Sequence, residues 1–154
     1  MLKRARTIAD FQFGRGAGAA LFPEGTTFKL SSTGRLRYLY SGAERIATLR
    51  AKDSLFTLSI LGAMRLHSHF PKPRLRVFAS EEAVPFVARG GTLFARHVID
   101  VDSEIRAGEE VLVVDERDRL VATGRAALSP LEMQQLRRGA AVMTRKGVSQ
   151  GSSS

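Results

Sequence analysis

With 154 residues, no cysteine and three histidines, the chain has room for one domain or two small ones, and it lacks disulfides, thiolate metal sites and cysteine nucleophiles. A formal net charge of +9 and a sequence pI of about 11.0 point to a polyanionic partner, nucleic acid first. No apolar run approaches the ~20 residues of a membrane span and "MLKRARTIADF" has no signal-peptide core, so a cytoplasmic protein with no membrane role is expected.

In chain order, "TTFKLSS", "RLRYLYS" and "ERIATLR" alternate apolar and polar residues, separated by the turn chemistry of "STGR" and "SGAE". That pattern predicts an antiparallel meander of three half-buried strands. Leu58, Leu61 and Leu66 then recur at helical spacing, which predicts a helix over roughly Thr57–His67. Pro71 and Pro73 punctuate "HFPKPRLRVF" and mark a boundary. The charge also changes near it: residues 1–76 hold 14 Lys and Arg against 4 Asp and Glu, and residues 77–154 hold 10 against 11. A basic domain over 1–73 and a nearly neutral one over 74–147 are therefore expected, with 148–154 a disordered tail that has nothing to bury.

Downstream, "RLRVF" predicts a strand, and Ser80 is placed to cap a short helix over "EEAVPFVAR" that Gly90 or Gly91 closes. "TLFARHVI" reads as extended. "EEVLVVDE" and "RLVATGRAAL" read as strands joined by a turn around "ERDR". "SPLEMQQLRRG" carries the strongest helix signal: Ser129 at the N-cap, Pro130 after it, Glu132 completing a capping box, Arg137 and Arg138 in the last turn and Gly139 as the stop. "AAVMTRK" is a final strand. The expected class is α+β, an antiparallel sheet with one helix followed by a small mixed β-barrel with two short helices.

Three chemical readings of "RGGTLFARHVIDVDSE" fail on its own spacing. The glycine pair follows a helix and precedes a strand, the reverse of a phosphate-binding P-loop. His97 and Asp100 point to opposite faces of an extended run, and no nucleophile elbow accompanies them. Asp100, Asp102 and Glu104 lack the central glycine and closing glutamate of a calcium loop, and read as a polar turn. The glycines remain as a helix stop that also lets a ligand backbone come close. Elsewhere, His67 and His69 lack a third ligand, so no zinc site is expected. Neither a catalytic group nor a cofactor is expected.

The basic residues are more informative. Arg35 and Arg37 alternate on one strand with Tyr38 and Tyr40 on the other parity, which predicts a cationic sheet face that Arg50, Lys52, Arg74 and Arg76 extend. Cations interleaved with aromatics suit RNA, whose phosphates are neutralised and whose exposed bases stack.

The helix ending in a glycine pair, "LFARHV", "DSEIRAGEEVLVV", "ATG" and "GAAV" occur in an order that resembles a PUA domain, an RNA-binding module. Upstream, "STGRLRYLY", "TLRAKDSLFTLSILGAMRL" and "PKPRLRVF" resemble the segment preceding that domain in archaeosine tRNA-guanine transglycosylases of archaea. The resemblance covers nearly the whole chain but omits the family's catalytic (β/α)₈ barrel and zinc-binding cysteines, so it implies RNA binding without catalysis. In the family the PUA domain holds the tRNA acceptor end beside the glycine loop and the following strand. That implicates Gly90, Gly91, Thr92, Phe94, Ala95, Arg96, His97 and Val98, with Arg137, Arg138, Arg145 and Lys146 as further phosphate contacts. The implied partners are tRNA or another structured RNA and a transglycosylase-type protein for which this chain is an accessory or split subunit; the alternatives are a module that binds rRNA in ribosome maturation and a small stand-alone RNA-modifying enzyme.

Overall fold

The computed structural model describes residues 1–150 of the chain. They fall into two compact units, Met1–His69 and Phe70–Ser154. The first unit opens with two helices absent from the expected pattern, α1 (Leu2–Phe13) and α2 (Ala17–Leu21). Ala5, Ala9 and Phe13, four apart, form the buried stripe of α1. No side chain caps either start, so the usual N-terminal signal is missing. Gln12 anchors α1 to the sheet: its amide donates to Phe56 O at 2.9 Å and accepts from Phe56 N at 2.7 Å.

The meander follows as β1 (Thr27–Leu30), β2 (Leu36–Ser41), β3 (Glu44–Leu49) and a fourth strand, β4 (Phe56–Leu58), paired antiparallel in chain order. Helix α3 runs over Ile60–His69. Thr57 and Leu58, expected at its start, belong to β4, where they pair with Thr48 and Ala47. Leu58 serves either reading, because a buried leucine fits both periods; its pairing across the sheet decides. Ser59 makes the turn between them, its hydroxyl donating to Arg45 O and Ile46 O at 2.6 and 2.8 Å.

The second unit is a nearly closed, mixed six-stranded barrel. Its strands are β5 (Arg76–Ala79), β6 (Leu93–Phe94), β7 (Val98–Val101), β8 (Glu110–Val114), β9 (Leu120–Ala126) and β10 (Ala140–Gly147), in the order β6-β10-β9-β8-β5-β7. Only β5 and β8 pair in parallel. Val77, Val87, Leu93, Val111, Val113, Val121 and Val142 fill the core, sealed by Met133 from α5 (Pro130–Gln135). The capping box of α5 is present: Glu132 N donates to Ser129 Oγ at 3.2 Å and Ser129 N donates to Glu132 Oε1 at 2.9 Å. The Ser129 backbone N–H, and after it the Ser129 hydroxyl, hold the exposed Glu132 carboxyl below its usual range.

Several expectations are corrected here. Arg137 and Arg138 are not in the last turn of α5, because Leu136 is already extended (φ −83°, ψ 140°). Ser80 does not cap α4 (Val84–Ala88); Ala83 holds that place, a turn over 81–83 intervenes, and the Ser80 hydroxyl lies 3.3 Å from His97 Nδ1. Pro85 is tolerated because it falls in the first turn, where its missing N–H has no carbonyl to meet. "TLFARHVI" is not one strand: a 3-10 turn over Ala95–His97 separates β6 from β7, so alternation does not carry from His97 to Asp100. Residues 148–150 are tied down rather than loose. Val148 N donates to Val121 O and Ser149 N to Ala88 O, both at 2.9 Å, and the Gln150 side chain accepts from Gly147 N at 2.7 Å. Residues 151–154 of the expected tail lie outside the described residues.

Candidate nucleic-acid interface

The glycine loop is built by the end of α4. Gly90 adopts φ +100°, the left-handed region that favours glycine, and its N–H donates to Val87 O at 2.9 Å. Gly91 N donates to Phe86 O at 3.0 Å. The space over the pair is occupied by protein. A Cβ on Gly91 would overlap the Phe86 ring, and one on Gly90 would press on the Gln150 amide. Both covering side chains are surface groups, Phe86 being 52% exposed. Neither Phe86 nor Gln150 was expected at the site; a phenylalanine one helical turn before the glycine pair is the one sequence signal that could have marked it.

Thr92 leads into β6, where Leu93 enters the core and Phe94 stays half-buried. The 3-10 turn then places Ala95 inside and Arg96 outside. The Arg96 guanidinium lies 5.4 Å from the Phe94 ring centroid, and its Nε donates to His97 Nε2 at 3.3 Å. His97 in turn meets Ser80, so Phe94, Arg96, His97 and Ser80 form one continuous cluster. Ala95 N donates to Gly139 O at 2.9 Å. That bond brings the exposed segment holding Arg137 and Arg138 beside the turn. Val98 opens β7, half-buried. The fold therefore holds Phe94, Arg96 and His97 together just after the glycine pair, with the Arg137–Arg138 segment joined to the same turn through Gly139.

Other expected contacts go elsewhere. Arg76 is 2% exposed, pairs with Asp118 at 2.6 Å and donates to Arg74 O at 2.9 Å; it is a core residue and not an RNA contact. Its strand is buried on both faces, so alternation with Leu75 and Val77 never carries it to solvent. Arg145 forks onto buried Glu110, which also receives the Thr123 hydroxyl. Arg50 forks onto Asp53 at 2.6 and 3.1 Å. Arg74 lies 4.7 Å from the Phe70 centroid. Lys52 and Arg35 are exposed, Arg35 ahead of β2 in the turn, and Lys146 is half-buried on β10.

The acidic run resolves likewise. Asp102 is buried and accepts from Leu75 N at 2.8 Å and Glu104 N at 3.0 Å, tying the β7 exit to the β5 entry. Among the described residues no three His, Asp or Glu side chains converge as a metal would need.

Comparison with known proteins agrees with this architecture. Residues 75–148 match the PUA domain, a class related to RNA-binding domains, and residues 3–73 match the patch-forming domain C2 of tRNA-guanine transglycosylase. The protein is a PUA-domain protein homologous to the C-terminal region of archaeal tRNA-guanine(15) transglycosylase. It is 47% identical over 147 residues to that enzyme from Methanothermobacter thermautotrophicus, an alignment covering 95% of this chain and 22% of the relative. It is 44% identical over 150 residues to the Pyrococcus abyssi enzyme, covering 97% of this chain and 25% of the relative. The chain thus spans about a quarter or less of these curated relatives. Among solved structures, a hypothetical protein from Pyrococcus horikoshii OT3 superposes with a TM-score of 0.75 at 22% identity, covering 97% of this chain and 90% of that one. A conserved PUA domain protein from Thermoplasma acidophilum gives 0.65 at 21% identity, covering 97% and 92%. These two likenesses concern the fold.

Proposed function

We propose that this is a cytoplasmic tRNA-binding protein whose PUA unit receives the acceptor end, acting as an accessory or split subunit of an archaeosine-type modification system. The observation that carries this reading is the 47% identity to a tRNA-guanine(15) transglycosylase, which runs through both domains. The glycine loop with Phe94, Arg96 and His97 supports the location. Arg96 offers a planar cation beside an aromatic ring, suited to a phosphate and to a splayed base together. In this reading the chain orients RNA and a partner supplies the chemistry.

The test is binding to tRNA with and without its single-stranded 3′ end across a salt series. Loss of the 3′ end weakens binding, and Arg96→Glu removes the difference between the two RNAs. Equal weak binding to every polyanion would overturn specific recognition. Base exchange by the purified protein alone would overturn the accessory role.

A further inference from the structure

We propose that the open face of the first unit's sheet is a stacking platform for unpaired RNA bases, centred on Tyr38 and Tyr40. The inference deepens the RNA-binding reading and rests on it. It concerns a surface separate in sequence and composition from the glycine loop.

Strand register defines the face. Lys29, Tyr38, Thr48 and Thr57 stand opposite one another across β1 to β4, and Thr27, Tyr40 and Arg45 form the adjoining row. None of these seven residues is buried. The other face carries the row Phe28, Leu39, Ala47 and Leu58, of which all but Phe28 are buried. A meander with one face in the core presents polar residues outward. Two tyrosines on the outward face are therefore not required by folding, and they sit two residues apart, roughly 6.6 Å along the strand.

The surrounding groups select the occupant. The Arg37 and Arg45 guanidinium carbons each lie 5.8 Å from the Tyr38 ring centroid. Arg37 gets there because β2 is bulged against β1, with Leu30 pairing Leu36 and Lys29 pairing Tyr38; its Nη1 also donates to Leu49 O at 3.2 Å. Lys29 adds an exposed ammonium across the strand. An apolar protein surface would need leucine or isoleucine where this face has Thr27, Thr48 and Thr57. Rings bordered by cations suit a chain of π-faces joined by phosphates. The unit's balance of eleven Lys and Arg against four Asp and Glu over residues 1–69 complements that charge.

The test uses the full chain, which has two tyrosines and no tryptophan, so its intrinsic emission reports this face alone. The protein is titrated with a fluorescently labelled single-stranded oligoribonucleotide of about ten residues and with an abasic strand of equal phosphate count. The base-bearing strand quenches tyrosine emission, after correction for base absorbance, and binds roughly tenfold tighter per stacked base. By anisotropy, Tyr38→Leu with Tyr40→Leu erases the difference between the strands, and the paired Phe substitutions keep it. Equal affinity of the native chain for both strands, or binding without quenching, would overturn the proposal. If the double leucine variant does not fold, Tyr40→Leu alone and the two-strand comparison decide. Failure of the tRNA 3′-end test with quenching intact removes only the acceptor-end reading.

Discussion

The two units carry similar numbers of cations but differ in the carboxylates that balance them. Residues 1–69 hold eleven Lys and Arg against four carboxylates, and Lys29, Arg35, Arg37 and Arg45 lie on or beside an exposed or half-buried sheet surface. Residues 70–154 hold thirteen against eleven, and three of those arginines are tied to carboxylates: Arg76 to Asp118, Arg119 to Asp115 and Arg145 to Glu110. In the barrel, then, some guanidinium groups act as cross-braces, and eleven carboxylates nearly cancel the thirteen cations, which leaves little net charge to attract RNA at a distance. In the sheet unit they supply the long-range field. Net charge alone does not distinguish a brace from a binding group; burial does.

That contrast can be broken first at its strongest point. Arg76→Ala leaves a carboxylate without its buried partner and is expected to destabilise the second unit by about 3–5 kcal/mol. Urea unfolding measures this; a variant that stayed as stable while losing RNA affinity would return Arg76 to the binding surface. Next comes Asp102→Ala, which orphans the Leu75 and Glu104 N–H groups and is expected to cost about 1–3 kcal/mol. Removal of the Ser129 cap by Ser129→Ala is smaller, about 1 kcal/mol, read by thermal unfolding.

Acid sharpens the comparison further. Burial pushes the Asp115 carboxyl up, but the Arg119 N–H, the Arg119 guanidinium and the Arg117 N–H outweigh it and hold the carboxyl below its ordinary range. A depressed carboxylate stabilises the fold above its unfolded pKa and loses that contribution as pH falls through the folded value. Thermal midpoints taken downward from pH 5 should therefore fall more steeply for the native chain than for Asp115→Asn. The smallest expected effect lies in the first unit. Arg45→Ala should leave stability within about 0.5 kcal/mol and reduce the slope of log affinity against log salt by about one. An unchanged slope would remove Arg45 from the electrostatic surface.

Legibility followed the range of the interactions. The meander, the capping box of α5 and the glycine stop of α4 were readable because each depends on neighbours a few residues apart. Helix α1 was not read: it starts without a cap, and its stripe is mostly alanine, which gives little contrast against polar neighbours. The 3-10 turn at Ala95–His97 was hidden in an apparently extended run; the bond from Ala95 N to Gly139 O, 44 positions away, accompanies it. At the site, the expected Phe94, Arg96 and His97 lie together, and the Arg137–Arg138 segment is joined to the same turn through Gly139, whereas Phe86 and Gln150 were missed because only the folded chain lays them over the glycine pair.

By itself the sequence determined that this protein is α+β, that its first half is the cation, and that its second half resembles a PUA domain, since composition, short-range periodicity and motif order are properties of the chain. Only the tertiary structure decided which arginines face solvent. Tyr38 and Tyr40 share a face with Lys29, which pairs Tyr38 directly across β1, and with Arg45, which faces Tyr40 because a bulge between β2 and β3 shifts the register that strict alternation assumes. Arg76 goes inward because its carboxylate partner, Asp118, is 42 residues away and only folding brings the two within 2.6 Å.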